Sequence, residues 1–274
     1  HSPDNVTRLI SNSHQPWRGQ VAWYELVVHS DEGWDFAGAT FPGSPFPFLG
    51  HNRHLGWTNT VNRPDLTDIY RLDVNADGTE YRMDGKWKKL SVRREWLKVK
   101  FGPFTLPVPR TFLMSEHGPV IHNDAGYFAI RYGGMDQLDM LEQYFRLNKA
   151  RDFDEWQKAM AIQGVPATNF VYADAAGNIG LFYNAAFPTR KEGYDWRNVL
   201  PGDRSDAITG PLIPWDQVPK NVNPGSGYVF NANNTPYVSA GQGYEIDRNT
   251  ISPLLGVEID MTNRARRASA LLQA

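Results

Sequence analysis

The first hundred residues alternate short apolar runs with turn residues, a pattern that predicts β-strands. β-Branched and aromatic residues concentrate in residues 21–29, 36–41, 55–61 and 68–72, and such residues favour the half-buried surface of a sheet. The stretch Asn75–Gly78 predicts a tight hairpin turn, because glycine tolerates the positive φ that such turns need. Residues 101–109 contain three prolines, which favours an edge or a loop over a central strand.

Helical spacing enters only in the second half of the chain. Apolar residues recur at roughly helical intervals between residues 136 and 150. Asp152 and Glu155 form a capping-box pattern that predicts a second helix running to Ile162. Three further segments are predicted: a β-hairpin at 170–183, a long ordered loop at 187–228 and a helix at 263–274. No repeat or linker interrupts the chain, so we expect a single domain over residues 1–274.

Composition narrows the possible partners. The formal net charge is -2 and the pI is about 6.4, so nothing indicates nucleic acid or an anionic membrane surface as a partner. Cysteine is absent, which excludes disulfides, thiolate metal sites and a cysteine nucleophile. No apolar stretch approaches the length of a membrane span. The chain has nine Trp, twelve Tyr and fourteen Phe, which predict an aromatic β core. Some of these aromatic residues can also line an apolar ligand pocket.

No phosphate loop, nucleophile elbow or zinc-protease motif is present. His51 and His54 lie three residues apart without an acidic neighbour, so we interpret them as structural. His117 and His122 receive the same interpretation. Residues 65–68 offer two carboxylates and further oxygens, which suit either calcium or a solvated turn. Asn169 opens a strand directly after a helix, where its amide can donate to an oxyanion or satisfy turn backbone groups.

Two segments have a composition typical of the floor of an active site. Residues 12–17 have the sequence Asn-Ser-His-Gln-Pro-Trp, and residues 50–61 combine Gly, His, Trp and Thr. Four segments together resemble the nucleophile-bearing chain of the penicillin acylase family. They are residues 9–17, 50–61, 168–180 and 223–236. Members of that family are N-terminal nucleophile hydrolases that cleave linear amides. The resemblance spans nearly the whole chain. It implies an α+β fold, an αββα sandwich of two antiparallel sheets flanked by helices, of which this chain is an incomplete fragment.

The resemblance implies a role for four positions. His14 matches a residue that helps to orient the nucleophile in cephalosporin and acyl-homoserine-lactone acylases. Val61 matches a backbone N–H donor to the oxyanion, and Asn169 matches its side-chain donor. Arg190 matches an arginine that steadies the surroundings of the nucleophile.

The resemblance also implies substrate-binding residues and a metal loop. The substrate-binding positions are Gln15, Trp17, Phe48 and Leu49. Gln15 replaces a phenylalanine often found in the acyl pocket, which makes that wall more polar. A structural calcium is implied at Asp65, Thr67 and Asp68, and no cofactor is implied for the chemistry itself.

The nucleophile is expected to lie just upstream of His1. In the family it is a serine at the N-terminus of the mature chain, freed by autoproteolysis, and its own α-amine acts as the base. An α-amino pKa of about 8 suits that task. Ser2, Ser11 and Ser13 do not match its position, so we expect this fragment to be inactive alone. Its expected partners are the remaining segments of the same precursor, the α chain and the rest of the β chain. A periplasmic location is implied by the family only.

The sequence therefore predicts an amide hydrolase that releases a carboxylic acid and an amine from a small-molecule substrate. Within the same class, an acyl-homoserine-lactone acylase is the alternative, favoured by His14. A non-catalytic relative, or a β-rich binding module of the same fold, is the alternative from a different class.

Overall fold

The computed structural model describes residue 4 and residues 6–273, which divide into two compact units. The first unit consists of the residues up to Asp65, Asp136–Phe187 and the residues from Leu212 onward. The second unit consists of Leu66–Met135 and Pro188–Pro211. The single domain expected over residues 1–274 stays a prediction. No helix of the described residues is both long and apolar enough to cross a membrane.

Strands outnumber helices in the described chain. The strands are β1 Tyr24–Ser30, β2 Trp34–Thr40, β3 Leu49–His51, β4 Leu55–Thr60, β5 Thr67–Leu72, β6 Glu80–Met83, β7 Lys86–Lys89, β8 Ser91–Phe101, β9 Phe104–Ser115, β10 Gly118–Asn123, β11 Gly126–Tyr132, β12 Ala167–Asp174, β13 Ile179–Ala185, β14 Leu200–Pro201 and β15 Lys220–Val222. The α-helices are α1 Met140–Lys149, α2 Phe153–Met160 and α3 Asn263–Leu272.

The first unit contains an antiparallel sheet of seven strands in the order β1-β2-β3-β4-β12-β13-β15. The predicted hairpin of β12 and β13 is confirmed. Its turn is held by Asp174, whose carboxylate accepts hydrogen bonds from the backbone N–H and the side-chain amide of Asn178, both at 2.8 Å. Gly177 has a φ of 97° in this turn, a conformation that glycine adopts without steric cost.

The core of the first unit lies between its sheet and the helices α1 and α2. Trp156 of α2 is fully buried, and its ring centroid lies 4.6 Å from Tyr172 and 4.8 Å from Phe182. Leu147 of α1 belongs to the same cluster. Burying large aromatic side chains removes much apolar surface from water, which is the main favourable contribution to folding.

All three predicted helices form, each with shorter bounds. Asp152 caps α2 as expected, because its carboxylate accepts from the Glu155 N–H at 2.8 Å. Helix α1 begins at Met140 rather than at residue 136. The Asp139 backbone comes so close to Gly164 that a Cβ atom there would lie 2.4 Å from it. A side chain at position 164 would therefore clash with the residue that precedes α1.

The second unit contains a sheet of six strands in the order β14-β5-β11-β10-β9-β8, together with the β6–β7 pair. Only β14 runs parallel to its neighbour, β5. The predicted loop over residues 187–228 therefore includes two short strands, since β14 and β15 each complete a sheet edge. The mixture of antiparallel strands with few helices confirms the α+β class.

The structure confirms the expectation of an edge at residues 101–109, which belong to the long β8–β9 hairpin. Strand β9 pairs with β10 only at residues 113–115. Its outer part therefore pairs on one side alone. Pro107 and Pro109 lie in that part, where proline is tolerated because one edge needs no N–H donor.

His117, between β9 and β10, is fully buried in the second unit. Its ring lies 4.6 Å from the ring of Tyr70. Burial lowers the pKa of His117 to about 4, and the backbone carbonyl of Arg204 and the Glu116 carboxylate only partly oppose this shift. The imidazole is therefore neutral in the folded protein at neutral pH. His122, by contrast, is exposed and stacks on Tyr127 at 4.0 Å.

We expect the His117→Leu variant to lose part of the acid sensitivity of the second unit. The folded state disfavours the protonated ring, so the unfolded chain binds a proton at higher pH than the folded protein does. The free energy of unfolding should fall by about 3 kcal/mol between pH 6.5 and pH 4 through this group. Urea denaturation at several pH values measures this slope. His122→Leu is the control and should keep the slope; a His117→Leu variant with an unchanged slope would contradict the assignment.

Candidate active-site groove

A groove of about 1440 Å³ opens on the first unit. The lining includes the segment before β1, the end of β4, an aromatic wall, residues of β12, and the loop before α3 together with α3 itself. Ligand sites in proteins are concave, mostly apolar and supplied with a few polar groups. The groove has this character, so it is the candidate active site.

The segment before β1 brings His14 and Gln15 to the groove. Among the described residues, no strand precedes β1. The segment is held by side chains instead: the Ser11 and Thr58 hydroxyl oxygens lie 2.5 Å apart, and the Ser13 hydroxyl donates to the Asn59 carbonyl at 3.4 Å. The Ser11 and Ser13 hydroxyls thus bond to β4, which pairs with β3 on one side and with β12 on the other.

Val61 directly follows β4, and its exposed side chain lines the groove. The pairing of β4 with β12 ends at Thr60 and Asn169, so the Val61 N–H lies just beyond the ladder. No carbonyl or side chain among residues 6–273 accepts a hydrogen bond from it. The preceding carbonyl, of Thr60, accepts from the Thr168 hydroxyl at 3.0 Å. The peptide that carries the Val61 N–H is therefore anchored while its donor stays available.

Asn169 of β12 lies behind Thr60 rather than on the groove surface. Its side chain is fully buried, and its amide nitrogen donates to the Thr60 hydroxyl at 3.0 Å. Thr60 itself lines the groove. An amide nitrogen carries two hydrogens, so this contact engages one donor of the pair.

Four aromatic side chains form a continuous wall of the groove. Trp23 stacks on Phe41 with ring centroids 4.5 Å apart, Phe41 contacts Phe48 at 5.7 Å, and Phe48 contacts Tyr144 at 4.8 Å. Of the predicted substrate-binding residues, Phe48 and Gln15 belong to the groove. The sequence indicated that some aromatic residues line a pocket but gave no means of choosing Trp23, Phe41 and Tyr144.

Two other predicted substrate-binding residues do not join them. Trp17 is 99% exposed and is not part of the groove lining. Leu49 is buried in β3, in the core of the first unit. Leu49 is not among the residues that line the groove.

The loop after Tyr228 supplies further polar groups to the groove. Asn231 and Asn233 line the groove, and the Asn233 amide donates to the Val61 carbonyl at 3.0 Å. Arg264 of α3 donates to the Asn233 side-chain oxygen at 2.7 Å. The run Asn231-Ala232-Asn233-Asn234 is visible in the sequence. Its contact with Val61 is not, because the two lie far apart along the chain.

Arg190 belongs to the second unit, where it is buried and paired with Asp68. The guanidinium donates to the Asp68 carboxylate at 2.8 Å, and the side chains are 2% and 1% exposed. The Arg190 guanidinium also lies 5.4 Å from the centre of the Trp196 ring. A buried charge needs such a partner, because removing an ion from water is costly.

This pairing bears on the calcium prediction. Among the described residues, no group of three or more acidic or histidine side chains could hold a metal ion. Asp65 belongs to the first unit, and Thr67 and Asp68 belong to the second. The Asp68 charge is already neutralised by Arg190, which argues against Asp68 as a calcium ligand. Calcium at Asp65, Thr67 and Asp68 stays a prediction.

Comparisons with known proteins agree with these features. A family model described as penicillin amidase matches residues 4–274. The chain is 33% identical over 234 residues to penicillin G acylase of Escherichia coli, with 83% of this chain and 27% of that protein covered. It is 31% identical over 186 residues to acyl-homoserine lactone acylase PvdQ of Pseudomonas savastanoi pv. phaseolicola, with 64% and 24% covered. Thermostable penicillin G acylase from Alcaligenes faecalis matches with a TM-score of 0.68 at 25% identity, covering 82% of this chain and 41% of that one.

The structural match identifies the fold as that of the N-terminal nucleophile hydrolases, as predicted. The chain belongs to the penicillin amidase family. It spans about a quarter of the length of these curated relatives.

We expect the buried ion pair to be essential for the stability of the second unit. Arg190→Met leaves the Asp68 carboxylate buried without its main cation and should lower the free energy of unfolding by about 3–5 kcal/mol. Arg197→Met is the control, since Arg197 is an exposed arginine of the same unit, and its loss should cost less than about 1 kcal/mol. Urea denaturation measures both. Equal effects of the two variants would contradict the importance of burial.

Proposed function

We propose that the protein to which this chain belongs hydrolyses a linear amide to a carboxylic acid and an amine. The observation that supports this most directly is the groove, where His14, an available Val61 N–H and an aromatic wall meet on one unit. Membership of a family whose similar members are named as acylases agrees with it. The nucleophile in this proposal is a serine from the part of the protein that precedes residue 1.

In the proposed mechanism, the serine oxygen attacks the amide carbonyl, and the serine α-amine takes up the hydroxyl proton. The carbonyl oxygen becomes negatively charged as the tetrahedral intermediate forms. The Val61 N–H donates a hydrogen bond to that oxygen. The second hydrogen of the Asn169 amide, which is buried behind Thr60 in this structure, is the other donor in this proposal. Preorganised donors of this kind stabilise the transition state because they need no reorientation when the charge develops. The proton then passes to the leaving amine, and water releases the acid.

The aromatic wall is the proposed site of the acyl group. Trp23, Phe41, Phe48 and Tyr144 offer apolar surface, while Gln15 adds one polar group. Burial raises the pKa of Tyr144 far above its ordinary value, so its hydroxyl stays neutral. The wall can therefore receive an uncharged acyl group without leaving a buried charge unpaired.

A second candidate is hydrolysis of acyl-homoserine lactones. The similarity to acyl-homoserine lactone acylase PvdQ of Pseudomonas savastanoi pv. phaseolicola favours this candidate. The presence of His14 supports the same choice. The third alternative is a non-catalytic relative or a β-rich binding module of the same fold. Such a protein would have the groove but would not hydrolyse a substrate.

Further parts of the proposal depend on the family alone. These are maturation from a precursor by autoproteolysis, partnership with the remaining segments of that precursor, and a periplasmic location. A structural calcium ion, with no cofactor for the chemistry, belongs to the same group.

The substrate class is tested by assaying the full-length precursor with phenylacetyl amides and with long-chain acyl-homoserine lactones. We expect hydrolysis of at least one series, with release of free acid. A kcat/KM more than about tenfold higher for the lactones would select the second candidate. Absence of turnover with both series by correctly matured protein would favour the non-catalytic alternative.

The oxyanion assignment is tested by Asn169→Ala in the same protein. We expect kcat to fall about 10²–10³-fold with a much smaller change in KM, because the lost donor acts in the transition state. Asn198→Ala is the control, since Asn198 is an exposed asparagine of the second unit. Steady-state kinetics and a thermal unfolding curve for each variant separate catalysis from stability. Full turnover in Asn169→Ala would show that this side chain is not an oxyanion donor.

A further inference from the structure

The outer part of the β8–β9 hairpin, residues 93–112, is a two-stranded ribbon of the second unit. Strand β8 pairs with β9 along its whole length, from Ser91 opposite Met114 to Phe101 opposite Phe104. Among the described residues, β9 meets its other neighbour, β10, only at residues 113–115. A two-stranded hairpin alone is marginally stable in water and needs packing against another element. We therefore expect a further element to pack on the ribbon.

One face of the ribbon, which we call the apolar face, is hydrophobic over its outer half. Side chains alternate between the two faces along a strand, and facing residues of an antiparallel pair share a face. The register therefore places six apolar side chains together: Leu97, Val99, Phe101, Phe104, Leu106 and Val108. Phe101 is 55% exposed and Phe104 is 69% exposed. A contiguous exposed apolar set of this kind indicates an interaction surface, whereas single exposed apolar residues do not.

The opposite face of the ribbon is mainly basic and polar. The alternation places these side chains there: Arg94, Lys98, Lys100, Thr105 and Thr111. Trp96, Pro107 and Pro109 share that face. If the apolar face lay on an anionic lipid surface, the basic side chains would point away from the charge that attracts them. If the apolar face packs on protein, they stay in water, where charged side chains are normally found.

The edges of the ribbon discourage the addition of another strand. Pro107 and Pro109 have no N–H to donate along β9, and Lys98 and Lys100 place charges along β8. Proline and lysine on edge strands are features that prevent pairing with a further strand. The occupant therefore packs against the apolar face and does not extend the sheet.

The size of the apolar face distinguishes a second copy from another part of the same protein. Its exposed side chains offer on the order of 400 Å² of apolar surface, whereas a stable interface between separate proteins buries about 800 Å² on each partner. A contact within one protein does not have to offset the loss of translational freedom on association. The chain spans about a quarter of the length of its curated relatives, so the remainder of such a protein is large enough to cover this face.

We propose that the apolar face of the ribbon is an internal docking surface, covered in the whole protein by a segment of the same precursor outside residues 1–274. Charged side chains border the face toward the base of the ribbon, where Arg93 donates to Glu95 at 2.6 Å and Arg110 lies opposite Glu95. The segment that covers the face is therefore apolar at its centre and polar where it meets these charges. This inference rests on the part of the proposed function that joins this chain to the remaining segments of its precursor.

The first experiment compares the two faces by thiol labelling of the matured full-length protein. Residues 1–274 contain no cysteine, so one introduced thiol in this part reports one position. Leu97→Cys and Leu106→Cys lie on the apolar face, and Lys98→Cys and Thr105→Cys are matched controls on the opposite face of the same strands. Mass spectrometry of the peptide that carries the thiol measures its rate of reaction with a maleimide. We expect the apolar-face thiols to react at least about tenfold more slowly than the controls, and similar rates on both faces would overturn the proposal.

Dilution and added lipid distinguish the other occupants in the same assay. Protection by a segment of the same protein should be unchanged by about hundredfold dilution, because no association between copies is involved. Protection that disappears on dilution assigns the face to a second copy. Rapid labelling in buffer that becomes slow only with phosphatidylglycerol vesicles assigns it to a lipid surface. Either of these two results overturns the proposal.

The second experiment identifies the occupant by a photochemical cross-link. Benzoylphenylalanine replaces Phe104, which keeps an aromatic group on the apolar face, and it replaces Lys98 as the control. Isotopically labelled and unlabelled copies are mixed, so that links within one copy are distinguished from links between copies. We expect position 104 to join a peptide of the same copy from outside residues 1–274, and position 98 to give no such product. A link from position 104 only to another copy or to residues 1–274, or no link at all, overturns the proposal. Neither experiment measures hydrolysis, so failure of this inference and failure of the proposed reaction are separate results.

Discussion

The pairing of β4 with β12 is the constraint on which the rest of the first unit depends. It joins Asn169 to Thr60, which are 109 residues apart. Facing residues share one side of a sheet. Trp57 and Tyr172 therefore enter the core together, while Thr58 and Val171 face the groove. A shift of one residue would exchange the two faces, so burial of the aromatic core also sets the register of the candidate site.

The end of this ladder matters as much as its register. Strand pairing normally satisfies backbone donors, and an N–H left over at the groove is available for chemistry. The structure places the Val61 N–H there, one residue beyond the last pair. The Thr168 hydroxyl of β12 donates to the Thr60 carbonyl, and the Asn233 amide donates to the Val61 carbonyl. The Val61 N–H is therefore available while the peptides on both sides of it are held. Rigid support of this kind is what a developing oxyanion requires.

Much of the local structure follows from sequence pattern, whereas the groove does not. The strand at residues 55–61, the turn at Asp174 and the cap at Asp152 depend on neighbours within a few residues, and the structure contains all three. The contact between Asn233 and Val61 crosses 172 residues, and no periodicity records such a pairing. The same holds for Asp68 and Arg190, which are 122 residues apart. Local preference placed Pro107 and Pro109 at an edge, as the structure does, but only the sheet shows which strand edge lacks a partner.

The most direct test of the central claim is a crystal structure of the full-length protein with a boronic acid that carries the acyl group of its best substrate. A boronate bound to a nucleophile imitates the tetrahedral intermediate. The account predicts that the boronate lies in the groove with an oxygen about 2.7–3.1 Å from the Val61 nitrogen and its acyl group on the aromatic wall. A boronate bound outside the groove, or with every oxygen beyond about 3.5 Å from that nitrogen, would contradict it.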